Sequence, residues 1–182
     1  MNIEEFFLKS VGEWNSMRSG HSLAFQEFEE IRSKIKITPA KSQDSRVTKL
    51  LKENSLSTNL GEKAFQITWD AKSDWNEENQ KEKVSGESIL IPIQITQTEG
   101  KIFRSLGYSE EIHVVSLYKI LDDGTLIIHS NYNNFCTEER IWFISNNLRS
   151  RFSVTRSINS TAILQTSYAS EIRFTKNRLH FT

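Results

Sequence analysis

Apolar and β-branched residues fall along most of this chain in short runs, and in several of them apolar and polar positions alternate. Runs of this kind, rich in Ile, Val, Phe, Tyr, Trp and Thr, occupy residues 13–25, 28–37, 63–71, 84–97, 101–106, 111–121, 125–133, 138–145, 149–158 and 162–175. A period of two places alternate side chains on opposite faces of a β-strand, and these residue types fit a pleated, half-buried surface. Turn residues separate several of the runs: "TEGK" at 98–101, "DDGT" at 122–125, "SNN" at 145–147 and "NST" at 159–161. Two segments follow a helical period instead. Ile3, Phe6 and Phe7, with Glu4 and Glu5 in the first turn, predict a short amphipathic helix over 3–10, suited to plugging one end of a core. Val47, Leu50, Leu51 and Asn54 share one side of a second predicted helix within "QDSRVTKLLKEN", 43–54. The polar stretch "DAKSDWNEENQKEK", 70–83, reads as a long hairpin loop or a lid, because strands of the same style continue on both sides of it.

Strands joined in sequence by short turns predict an all-β, up-and-down antiparallel meander. A meander of this size closes to remove its edges, and barrels of eight or more strands can hold a small ligand. Gly12-Glu13-Trp14, at the start of the first strand, is the G-x-W signature seen in lipocalins. In that architecture the tryptophan closes the bottom of the barrel, and an arginine of the last strand lies across its ring, a cation–π contact of about 0.5–2 kcal/mol. Arg173, in "SEIRF", is the matching candidate; an ordinary core tryptophan would give the same three residues. The expected fold is a lipocalin-like (calycin) antiparallel up-and-down β-barrel of about ten strands, with a short N-terminal helix and one further helix, forming a single domain over residues 1–182.

Composition narrows the function. With 182 residues, 37% hydrophobic and 25% charged, the chain fits a soluble globular class. Lysine plus arginine total 23 and aspartate plus glutamate total 23, so no general basic field points to nucleic acid. Any anion binding has to come from local clustering. A single cysteine, Cys136, forbids an internal disulfide and favours a reducing compartment. The acidic start "MNIEEFFLKS" lacks the basic and apolar regions of a signal peptide, and no apolar run approaches the about 20 residues of a membrane helix. An intracellular protein without a membrane partner is expected.

The candidate chemistry concentrates in "TEERIWFISNNLRSRFS", 137–153. Glu139, Ile141 and Phe143 alternate with Arg140, Trp142 and Ile144, the strand turns at Ser145–Asn147, and Arg149, Arg151 and Ser153 then share one face opposite Phe152 and Val154. If those apolar side chains pack outward against helices, the arginines face a cavity; otherwise they form a solvated stripe, the commoner outcome for such a composition. Guanidinium forks bind carboxylates bidentately, so a cavity-facing pair suits a ligand with carboxylate arms. Glu139 and Glu171 are carboxylates that could pair with arginine, accept from ligand N–H groups, or relay a proton if burial raised their pKa. Arg18, in the middle of the first strand, faces solvent or meets an anion, because an unpaired buried charge is expensive. Trp69 follows Phe65 and Ile67 on an apolar face, so its default place is the core. Trp75 stands alone in a polar loop, where a ligand or a partner protein would give it a contact. His21, His113, His129 and His180 lack metal-ligand spacing, and no nucleophile elbow, P-loop or dinucleotide fingerprint occurs. No metal site is expected, and Cys136 reads as structural or incidental.

Three of these stretches together resemble the S-type phycobiliprotein (chromophore) lyases, the CpcS/CpeS-like family. "MNIEEFF" followed by the spaced Ser, Gly, Trp, Ser, Arg-Ser, His and Leu-Ala-Phe of residues 10–25 is similar to their N-terminal segment, "EERIWFISNNLRSR" at 138–151 to their E-R-x-W-F…N-L-R-x-R segment, and "YASEIR" at 168–173 to their C-terminal S-E-I-R. The resemblance spans essentially the whole chain and implies a lipocalin-like barrel that binds a linear tetrapyrrole, phycoerythrobilin or phycocyanobilin, as a transferred substrate rather than a permanent cofactor. It implies that the pigment is handed to a cysteine of a phycobiliprotein subunit, the β subunit of phycoerythrin or phycocyanin, with a thioether formed at the A-ring ethylidene group. Such work belongs to phycobilisome assembly in photosynthesis, in a cyanobacterial cytoplasm or a plastid stroma. Arg18, Trp69, Trp75, Glu139, Arg149, Arg151 and Glu171 match family positions tied to bilin binding or transfer, and Ser153 joins the binding set by sharing the arginine face. Glu139 and Glu171 are the implied proton-handling residues. Two departures stand out: Asn146 replaces a proline common before the N-L-R run, and Gly20-His21 stands where a histidine pair is usual. Open alternatives are a non-catalytic binder or carrier of a bilin, haem or fatty acid, and an interaction module that docks a partner through Trp75; a homodimer is compatible with each.

Overall fold

The computed structural model describes residues 1–73, 83–105, 115–160 and 162–175. Among these residues ten antiparallel strands follow one another as β1 (Gly12–Ser22), β2 (Glu27–Pro39), β3 (Phe65–Ser73), β4 (Lys83–Gln94), β5 (Glu99–Arg104), β6 (Val115–Ile120), β7 (Leu126–Asn131), β8 (Phe135–Ser145), β9 (Leu148–Ser157) and β10 (Ile163–Arg173). Each pairs with its neighbours in sequence, and β1 also pairs with β10, so the sheet closes and leaves no edge unpaired. Among the described residues two α-helices accompany the barrel, α1 (Ile3–Ser10) and α2 (Ser45–Glu53), with a 3-10 turn at Thr58–Lys63. The expected all-β, calycin-type architecture is what forms.

The predicted periods decide the two layers of packing. In β6, Ser116, Tyr118 and Ile120 point inward and are buried, while Val115, Leu117 and Lys119 point out and are exposed. α1 starts at a capping box, in which the Asn2 side chain accepts from the Glu5 amide and the Glu5 carboxylate accepts from the Asn2 amide. That fixes the helix so that Ile3, Phe6 and Phe7 plug one end of the barrel against Phe65, Leu90, Ile102, Tyr118, Leu126 and Ile141. This end is the floor. α2 lies outside the barrel, where Val47, Leu50 and Leu51 cover the outward side chains Ile89, Ile91 and Phe103 of β4 and β5. Over β4 and β5, therefore, both faces of the sheet are apolar.

Two glycines have roles that only the packing reveals. Gly12 has φ +136°, and a Cβ there would stand 2.6 Å from Arg173 Nη1. The G-x-W glycine is thus required both by its backbone and by the arginine passing over it. Gly100, expected in a turn at 98–101, lies inside β5, and the bend falls at residues 95–98. A Cβ at Gly100 would sit 2.1 Å from the Ile93 carbonyl oxygen and 2.7 Å from the Tyr118 ring. This glycine admits close strand and ring contact rather than a turn.

Candidate ligand-binding site

Strand register determines what the lumen sees. Glu139 of β8 pairs with Ser153 of β9, which pairs with Ser167 of β10; Phe143 pairs with Arg149, which pairs with Glu171, which pairs with Ser16 of β1. These positions share the inward face with the floor residues. Arg149, Arg151 and Ser153 therefore point into the barrel. The solvated-stripe alternative is overturned, and so is the helix cover expected with its rival: Phe152, on the opposite face, points outward and is 37% exposed. What keeps two guanidiniums inside is carboxylates on the flanking strands.

Arg149 is fully buried, and its Nε donates to Glu171 Oε2 in a short contact. Arg151 Nε lies 3.9 Å from Glu171 Oε1, and its Nη1 lies 3.7 Å from Glu139 Oε1. Glu171 is 1% exposed and enclosed by both arginines, whereas the side chains of Arg151 and Glu139 remain 32% and 21% exposed. Burial alone would raise the Glu171 carboxyl, but Arg151 and Arg149 outweigh it and hold it below its ordinary range. Burial pushes the Arg149 guanidinium down to about 10 against the pull of Glu171, so it stays charged at neutral pH. For Arg151, burial also opposes the charge, but Glu171 and Glu139 prevail and its pKa rises. Two cations and two anions make the cluster electrically neutral while its members are ionised.

Trp14 ties this cluster to the floor. Arg149 Cζ and Arg173 Cζ lie 4.5 and 4.2 Å from its ring centroid, and its Nε1 donates to the Ser10 carbonyl at 2.8 Å. The expected contact between Trp14 and Arg173 is present, with Arg149 as an unforeseen second cation. Ser153 Oγ is hydrogen-bonded to Ser167 Oγ at 2.7 Å. Arg18 occupies the inward row with Ala169 and Arg151, toward the open end, and forms an ion pair with Glu29 at 3.7 Å with both side chains partly exposed. Trp75 lies outside the described residues. Glu29, Ser167 and Arg104 also face the lumen and were not singled out from the sequence; only the pairing register shows their orientation.

Trp69 is inward-facing, as its apolar strand face predicts, and lies flat on Gly86 of β4. A Cβ at Gly86 would be 2.4 Å from Trp69 Cζ2 and 2.7 Å from Cε2. Gly86→Ala is expected to push the indole off the wall, lowering stability by about 1–3 kcal/mol through overpacking. The check is a lower denaturant midpoint together with an altered tryptophan emission spectrum; wild-type values of both would contradict the contact.

A closed ten-stranded antiparallel barrel with a plugged floor has the lipocalin-like (calycin) fold. The sequence profile of the CpeS-like protein family matches residues 2–174. Chromophore lyase CpcS/CpeS 3 of Trichodesmium erythraeum (strain IMS101) is 38% identical over 175 residues, covering 95% of this chain and 99% of that protein. Phycocyanobilin lyase subunit CpcS of a Picosynechococcus species is 28% identical over 155 residues, covering 85% and 78%. The solved S-type phycobiliprotein lyase CpeS from Guillardia theta superposes with a TM-score of 0.84 at 31% identity, covering 97% of this chain and 95% of that one. The chain belongs to the CpeS-like family of lyases.

Proposed function

We propose that this protein is a chromophore lyase that holds one phycobilin, phycoerythrobilin or phycocyanobilin, in the barrel lumen and delivers it to a phycobiliprotein cysteine. The observation that carries the reading is the partly open pair Arg151 and Glu139 on an inward wall backed by a buried ion pair. A phycobilin brings propionates, pyrrole-type N–H groups and a conjugated face. Arg151 offers its outer guanidinium nitrogens to a propionate, Glu139 accepts from pyrrole N–H groups, and Trp69 supplies a flat surface. Glu171 is sealed behind the arginines and kept ionised, so it acts as a positioning residue for Arg149 and Arg151, and the proton-handling role falls to Glu139. Arg18, Glu29 and Ser153 complete the polar wall toward the mouth.

A carboxylate beside the pyrrole nitrogens favours protonation of the conjugated system, which makes the A-ring ethylidene carbon more electrophilic. The acceptor's thiolate forms the C–S bond there, and a proton taken up by the adjoining ring carbon completes addition across the double bond, without an oxidant or reductant. Holding one conformer and shielding the rest raises rate and fidelity together. The nucleophile belongs to the acceptor, because Cys136 lies on the outward face of β8, opposite Asn131 and Arg156. Titration with phycocyanobilin and phycoerythrobilin should give a red-shifted, sharpened visible band that Glu139→Gln and Arg151→Ala weaken. Co-expression with acceptor subunits should give covalent pigment by zinc fluorescence of the denatured subunit. Cys136→Ser is expected to leave both readouts unchanged, and loss of both in a folded Cys136→Ser protein would refute the assignment of the nucleophile. Binding without any covalent product would show a carrier instead of a lyase.

A further inference from the structure

The inward-facing arginines among the described residues have partners, with one exception. Glu171 serves Arg149 and Arg151, Glu139 serves Arg151, and Glu29 serves Arg18. Arg173 spends its nitrogens on the carbonyl oxygens of Asn146, Val11 and Lys9. Arg104 has no such arrangement. It is the last residue of β5, opposite Leu90, and shares the inward face with Ile102, since Phe103 between them packs outward beneath α2. Its Nε is buried without a hydrogen-bond partner among the described residues. β5 lies five strands from β10 in either direction around the barrel, so Arg104 stands across the lumen from the wall that carries Glu171, with no ion pair joining it to that cluster. A buried donor left unpaired is costly, and a carboxylate is the partner whose two oxygens match a guanidinium's paired donors.

We propose that Arg104 is a second, separate carboxylate-binding point of the lumen. Resting on the bilin reading above, it takes one propionate of the linear tetrapyrrole while the other goes to the Arg151 side. Because the Arg149, Arg151, Glu139 and Glu171 cluster is already neutral, Arg104 supplies the uncompensated positive charge that a dianionic ligand needs. Anchoring the two arms at separate walls fixes the pigment's rotation about the barrel axis and favours a ligand with two acid groups over a monoacid.

The test compares binding of phycocyanobilin and of its dimethyl ester to the wild-type protein, Arg104→Gln and Arg104→Lys, with thermal unfolding of each as a folding control. Arg104→Gln should weaken the free acid by about tenfold, the size expected for one charge-assisted hydrogen bond, and should leave the ester's affinity unchanged. Arg104→Lys should recover part of the loss for the free acid. A loss below about threefold, well short of what one charge-assisted bond contributes, or an equal loss with the ester, overturns Arg104 as a carboxylate anchor while the bilin reading stands. Failure of the wild-type protein to bind either compound overturns the bilin reading and this inference with it.

Discussion

Glu171→Leu is expected to be among the most damaging single substitutions in this barrel. It leaves Arg149 fully buried, with its Nε deprived of its acceptor and its Nη2 already without a partner. Breaking a buried ion pair from one side destabilises by about 3–5 kcal/mol. In a chain of this size that corresponds to a fall of about 6–20 °C in melting temperature. Removing both charges, as Arg149→Met with Glu171→Leu, should restore much of the loss, because a buried pair exchanged for apolar side chains is often neutral. A double variant as unstable as the single one would contradict that account. The same carboxylate sets a pH dependence. Its folded pKa is depressed below the ordinary 4.5, so its stabilisation is complete above that value and is lost as pH falls through the lower folded value. Glu171→Leu should therefore flatten the acid limb of the stability curve, measured by urea unfolding between neutral and acid pH.

The strands and both helices were legible because each rests on a local period. Ile3, Phe6 and Phe7 need only a helix to share a face, and Ser116, Tyr118 and Ile120 need only a strand. The sharing of one face by Arg149, Arg151 and Ser153 was legible for the same reason. Which way that face points was not, because β9 carries Phe152 and Val154 on its other side and composition favours burying those. The answer depends on Glu171, 22 residues further along, and on Glu139 across the β8–β9 turn, whose proximity exists only once the register is fixed. Arg104 illustrates a different loss of signal. In "KIFRS" both Ile102 and Phe103 are apolar, one packed in the barrel and the other beneath α2, so period-two reasoning has no polar face to exclude. Gly100 misled for a related reason: glycine marks a turn or a close contact equally well, and only the Tyr118 ring decides between them.

Trp14→Ala is expected to cost about 3–5 kcal/mol, the range for emptying a large aromatic site in a core. The indole is 1% exposed and holds three parts of the molecule at one point. It donates to the Ser10 carbonyl at the end of α1, lies 6.1 Å from the Phe143 ring of β8, and carries the guanidiniums of Arg149 and Arg173 over its face. Its loss removes the hydrogen bond, two cation–π contacts of about 0.5–2 kcal/mol each, and the surface against which Arg149 is aligned toward Glu171. These terms overlap, so they are not summed on top of the cavity cost. Trp14→Phe keeps a ring under the arginines but drops the donor, and it should recover most of the stability while remaining about 0.5–1.5 kcal/mol below wild type. Denaturant unfolding measures both variants. Because Arg149 and Arg151 share Glu171, Trp14→Ala should also weaken phycobilin binding, whereas Trp14→Phe should bind nearly as wild type. A Trp14→Ala protein within 1 kcal/mol of wild type, on the scale of a minor surface change, would mean that the floor is held by α1 alone and that the guanidiniums keep their places without the ring beneath them.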